Sequence, residues 1–70
     1  MNKRDLLQAI MENIKELEFE FNGLAPFNIL LLNLDDIYPW SMSEIENGID
    51  ELINKNIIEK VYDNYYRSCY

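Results

Sequence analysis

Carboxylates, one thiol and a group of tyrosines are the residues of this chain that could do chemistry: thirteen Asp and Glu, Cys69 and five Tyr, with no histidine. Without histidine, a glycine-rich phosphate loop or a Cys/His cluster, nucleophilic triads and nitrogen- or sulfur-ligated zinc sites lack their parts. Asp35 and Asp36 are adjacent carboxylates, but neighbours on a helix project about a hundred degrees apart and do not share a metal or a proton. They read as the solvated last turn of a helix. Cys69 has no second cysteine for an intrachain disulfide. A partly buried strand thiol is expected there, the alternative being a redox or intersubunit disulfide role. The sequence therefore points away from an enzyme and implies no cofactor and no metal, which leaves binding as the chemistry to explain.

Charge narrows the partner. The net charge is −7 over 70 residues and is unevenly placed: from Asp5 to Glu51 the acids outnumber Lys15 to give −10. From Lys55 onward, Lys55, Lys60 and Arg67 outweigh Glu59 and Asp63 by one. A phosphate backbone would be repelled by most of the chain and tolerated only by the last segment and the Met1–Arg4 end, which carries Lys3 and Arg4. With 49% apolar and 27% charged residues, the composition suits one compact domain over residues 1–70. That length is near the lower limit at which an apolar core suffices alone, so oligomerisation is an option. No basic-plus-apolar leader and no apolar run of about 18 residues is present, so a soluble, cytoplasmic chain is expected.

The elements that must position these residues follow from periodicity. Leu7, Ile10, Ile14, Leu17 and Phe21 recur at spacings of three and four, which predicts an amphipathic first helix capped by Asn2 or Asp5 and ended by Asn22-Gly23. Met11 and Phe19 fall off this stripe and either cover neighbouring core or extend an interface. Leu24-Ala25 is a short extended piece, and Pro26 suits the first turn of a second helix, "PFNILLLNLDDIY". Its face is Phe27, Leu30, Leu31, Leu34 and Tyr38, widened by Ile29, Leu32 and Ile37 until it needs cover on more than one side. A second subunit packing on helices 1 and 2 would supply that cover. A buried strand for "FNILLLN" is the alternative.

Pro39 breaks the helix and Trp40 sits in the turn. Two overlapping capping boxes follow, Ser41-x-x-Glu44 and Ser43-x-x-Glu46, and Ile45, Ile49, Leu52 and Ile53 form the core face of a third helix. Gly48 inside it costs roughly 1 kcal/mol against alanine, so it either allows close helix approach or marks a break; one continuous helix is the expectation. Asn56 supplies a left-handed exit. "IIEKVYD" and "YYRSCY" then flank Asp63-Asn64 as a hairpin, with Tyr62 opposite Tyr65, Val61 opposite Tyr66, Lys60 opposite Arg67 and Ile58 opposite Cys69.

This order resembles the winged-helix family over nearly the whole chain. The most specific stretch, "SEIENGIDELINKNIIEKV", looks like the family's run from recognition helix into wing, with Asn56 in place of the usual glycine. Because only one helix fits between Trp40 and Ile57, the arrangement is similar to PadR-type regulators. The fold class expected is thus α+β, a small winged-helix domain of three helices followed by a C-terminal β-hairpin wing. The resemblance implies nucleic-acid binding through the exposed face of the third helix, here Glu44, Asn47, Asp50, Glu51, Asn54 and Lys55, with the wing on the backbone. Asn47 and Asn54 could read adenine edges, and Lys60 and Arg67 could meet phosphate. Four acids on the reading helix oppose the counterion release that supplies most such affinity. The charge therefore favours a protein-interaction module whose acidic helix faces a basic protein surface, with Tyr62, Tyr65, Tyr66 and Tyr70 offering contact area on the hairpin. A dimeric DNA-binding regulator is the alternative.

Overall fold

The structure, a computed structural model, describes residues 3–69. Helix α1 spans Lys3–Glu20, strand β1 Ala25–Pro26, helix α2 Phe27–Ile37, helix α3 Met42–Asn54, strand β2 Ile58–Tyr62 and strand β3 Tyr65–Ser68. The fold is α+β with a winged-helix-like layout: three helices precede a C-terminal hairpin, and the strands form an antiparallel sheet in the order β1-β3-β2. The short extended piece after α1 thus becomes a third strand, with Ala25 opposite Tyr66 and Pro26 opposite Tyr65. Ala25 is fully buried, so the strand fastens the sheet to the core as well as to β3.

Local chemistry sets the ends of the helices. Asn22 and Gly23 adopt left-handed backbone at φ 58° and 95°, and the Gly23 N–H donates to the Glu18 carbonyl at 2.6 Å. Asn56 does the same for α3 at φ 60°: its N–H reaches the Ile53 carbonyl and the Ile57 N–H reaches the Leu52 carbonyl, both at 3.0 Å. This is the paired exit bond of a Schellman motif, with asparagine accepting the conformation that glycine more often takes. Pro26 serves as the N-cap of α2 rather than its first helical residue, and Tyr38 is forced into extended backbone ahead of Pro39. The strand alternative for "FNILLLN" is excluded.

The core gathers Leu6, Ile10, Ile14 and Leu17 of α1, Leu30 and Leu34 of α2, Ile45, Ile49 and Leu52 of α3, and Ile58 and Tyr66 of the hairpin. Several sequence expectations are corrected. On α1 the buried stripe runs through Leu6 rather than Leu7, which is half-buried, and Phe21 is 43% exposed because it lies past the helix end. Asp5 lies inside the first turn rather than at the N-cap position; Asn2 and Tyr70 fall outside the described residues. Met11 covers core whereas Phe19 stands in solvent, and Asn13 is buried in the stripe with its amide donating to the Ala9 carbonyl at 2.8 Å. Tyr38 leaves the face of α2 and tilts onto Trp40 at 5.2 Å, while Trp40 itself is buried although it lies in the connection. Ile53 is half-buried, and Cys69 is exposed rather than partly buried.

Gly48 explains itself by packing. It is buried on the side of α3 that faces α1, and a Cβ there would fall 2.9 Å from Ile10 Cδ1. The helix is continuous, and the glycine serves close approach.

The hairpin register also departs from expectation. Tyr62 does oppose Tyr65, but an irregularity between Lys60 and Tyr62 makes Val61 an extra residue. Beyond it Lys60 opposes Tyr66, Glu59 opposes Arg67 and Ile58 opposes Ser68. In a regular hairpin Ile58 and Tyr66 would point to opposite faces; the bulge brings both onto the core face. It also sets Arg67 against a carboxylate instead of against Lys60, replacing a repulsive cross-strand pair by an attractive one.

Candidate interaction face of the third helix and hairpin

Helix α3 is held by its core stripe and by its cap. The Ser41 hydroxyl accepts from the Glu44 N–H at 3.1 Å and the Ser41 N–H donates to Glu44 Oε1 at 3.0 Å, so of the two possible boxes the first forms. The competing Ser43–Glu46 box does not, since Ser43 already lies inside the helix. With Ile45, Gly48, Ile49 and Leu52 buried, the remaining circumference is turned outward. Glu44, Asn47, Asp50, Asn54 and Lys55 are exposed, as expected, and Glu51 is half-buried. Glu46, absent from the sequence expectation, is exposed as well.

The cations expected to meet phosphate each have a carboxylate beside them. Lys55 Nζ lies 3.4 Å from Glu51 Oε2 one turn back, and Lys60 Nζ lies 3.8 Å from Asp63 Oδ1. Arg67 Nε donates to Glu59 Oε1 across the sheet. Such exposed pairs contribute little stability, but they cancel charge locally. Lys60 and Arg67 are not opposed to each other as expected: they lie on opposite faces of the hairpin, one opposite Tyr66 and the other opposite Glu59. Tyr62 and Tyr65 face each other next to the turn and are 65% and 42% exposed. Tyr66 points inward.

The structure divides the expected site among separate surfaces. Asp50 and Lys60 share a cleft of about 300 Å³ between α3 and the hairpin, with Glu46 and Ile49 from α3, Phe27 from α2, and Asn64 and Tyr66 from the hairpin. Glu44 and Asn47 line a different hollow, against Leu6, Trp40 and Gly48. Tyr62, Tyr65 and Arg67 belong to neither. Sequence reasoning missed Glu46 and Tyr66 as cleft residues. The four-residue spacing of Glu46 and Asp50 was a usable signal, but the inward turn of Tyr66 depends on the bulge.

The cleft is built around Tyr66. The residue is nine-tenths buried, and its ring tilts against Phe27 at a centroid distance of 6.1 Å. The Phe27 N–H donates to the Asn64 carbonyl at 2.8 Å, which ties the start of α2 to the hairpin turn. Burial first, and then the negative charges of Asp50 and Glu46, push the Tyr66 hydroxyl above its ordinary pKa. The hydroxyl thus stays neutral in a negative environment, able to donate and to accept.

Apolar surface lies elsewhere. Leu31, Leu32, Trp40, Met42 and Ile45 line a shallow groove between α2 and α3, and Leu32 is 64% exposed. Among the described residues no group of three or more His, Cys, Asp or Glu is placed to hold a metal ion, and no helix is long and apolar enough to cross a membrane. No protein-family model, no curated protein and no solved structure matches the chain.

Proposed function

We propose that this chain is a non-enzymatic, cytoplasmic, acidic winged-helix protein that acts as an interaction module or regulator by presenting α3 to a basic surface on another protein, such as one that itself binds nucleic acid. The observation that carries this reading is the charge of the outward face of α3. Glu44, Glu46 and Asp50 are exposed on it, no Lys or Arg occurs between Met42 and Asn54, and the cations that follow are each beside a carboxylate. A duplex approaching that face loses more from the acids than it gains from the paired cations, because non-specific affinity comes from cations that release phosphate counterions. A basic protein surface has the complementary sign.

The second reading, a dimeric DNA-binding regulator of winged-helix type, is favoured by the layout and by the exposed Phe19 and Leu32 on the helices where a dimer would form. One experiment separates the two. The purified protein is titrated with mixed-sequence duplex at low salt, alongside a Glu44→Lys/Asp50→Lys variant, with sedimentation at several concentrations giving the oligomeric state. The parent protein is expected to show no binding tighter than the micromolar range and the variant to gain affinity. Sub-micromolar, salt-sensitive binding by a dimeric parent would replace the first reading by the second.

A further inference from the structure

We infer that the cleft between α3 and the hairpin, formed by Glu46, Asp50, Tyr66 and Phe27, is a socket for one arginine side chain presented by the basic partner protein. This rests on the proposed function and sharpens it from a charged face to a defined contact. Two independent features of the molecule support it.

The first is the pair of carboxylates. Glu46 and Asp50 stand four residues apart on α3, so their side chains project to the same side one turn from each other. The second is Tyr66. The residue is nine-tenths buried, it lines the same cleft, and its hydroxyl has no hydrogen-bond partner among the described residues. The oxygen is not sealed from solvent, and the residue is part of the cleft lining. Water completes such an oxygen until a ligand donor takes its place.

A guanidinium fits what is missing. It is a planar fork of five donors, able to serve both carboxylates while giving a further N–H to the Tyr66 oxygen. The Phe27 ring supplies an aromatic wall for the face of the cation. An ammonium is a poorer match, since it is a compact point charge that stays strongly hydrated and cannot stack. The cleft is set before binding by the Phe27 N–H bond to the Asn64 carbonyl and by the packing of Tyr66. Lys60 also borders it, with its ammonium 3.8 Å from Asp63. That charge weakens cation binding, so its removal should tighten it.

The test is a titration of the amide-labelled protein, followed by NMR, with a peptide of arginines separated by glycines, the same peptide with lysines, and the capped single amino acid N-acetyl-arginine amide. The expected result is saturable shifts at Glu46, Asp50, Asn64 and Tyr66, with the arginine peptide bound about tenfold more tightly than the lysine peptide. Glu46→Gln/Asp50→Asn should abolish the preference. Tyr66→Phe, which keeps the ring and hence the packing, should weaken arginine binding about threefold to tenfold, and Lys60→Ala should strengthen it. Equal binding of both peptides, with equal loss from a Glu44→Gln/Glu51→Gln control, would leave the acidic-face reading standing and overturn the socket. Absence of binding by either peptide would overturn both. Capped arginine binding as tightly as the peptide would overturn the assignment of a protein partner.

Discussion

Gly48→Ala is a perturbation whose outcome can be worked from two opposing terms. Alanine in a helix interior is favoured over glycine by about 1 kcal/mol. Against this, the new Cβ falls 2.9 Å from Ile10 Cδ1, whereas its 3.5 Å contacts with Cδ2 of Leu6 and of Leu7 are ordinary. Ile10 is fully buried, so its methyl cannot swing into solvent. It must retreat by roughly 0.6 Å or more into packed core to regain normal contact, at an overpacking cost of about 1–3 kcal/mol. The single variant should therefore lose about 1 kcal/mol net, the clash outweighing the propensity. Ile10→Val removes the clashing methyl and should by itself cost about 1 kcal/mol. In the double variant the clash is gone, the propensity gain remains and the new methyl occupies part of the vacated space. It should return near the stability of the parent, a coupling of about 2 kcal/mol in favour of the pair. Urea unfolding of the four proteins reads this directly, since a small domain loses about 1 kcal/mol per molar urea and each step moves the midpoint by about 1 M. Additivity within about 0.5 kcal/mol, or a Gly48→Ala variant more stable than the parent, would refute the inference that the close approach of α3 to α1 leaves the Ile10 methyl no room to yield. The presentation of the acidic face depends on that approach.

Glu18 tethers the end of the hairpin to α1: its carboxylate accepts from the Ser68 N–H and, at 3.2 Å, from the Ser68 hydroxyl. Glu18→Ala should cost about 1.5–3 kcal/mol in urea unfolding, and Glu18→Gln, which keeps an acceptor oxygen, about half as much. Tyr66 gives a pH signature. The unfolded residue ionises near 10.0 while the folded one stays neutral to higher pH, so above pH 10.0 the unfolded chain loses this proton first and stability falls as pH rises. The Tyr66→Phe variant lacks this term, so the fall in its unfolding midpoint above that pH should be shallower than that of the parent, with no difference in slope from this source below it.

Much of the architecture was legible because it depends on short-range chemistry. The Asn22-Gly23 and Asn56 exits, the Ser41–Glu44 box and the break at Tyr38-Pro39 are decided by residues within a few positions of each other, and all appear in the structure. The Ile45, Ile49 and Leu52 stripe has a helical period and requires no knowledge of what it packs against. The acidity of the outward face of α3 is likewise a property of the sequence, since burying that stripe leaves Glu44, Glu46 and Asp50 to solvent.

What only the tertiary structure decided concerns contacts between distant segments. Pairing of Ala25 and Pro26 with β3 joins residues some forty positions apart, and the spacing of the letters carries no sign of it. The bulge at Val61 reverses which hairpin residues face the core, because side chains alternate with a period of two and a single inserted residue flips all that follow. That flip buries Tyr66 beside Asp50 and Glu46, pairs Arg67 with Glu59, and sets Lys60 opposite Tyr66 rather than Arg67. The charge of the outward face of α3 was therefore written locally. The cleft within it exists only because packing demanded that Ile58 and Tyr66 share one side of the sheet.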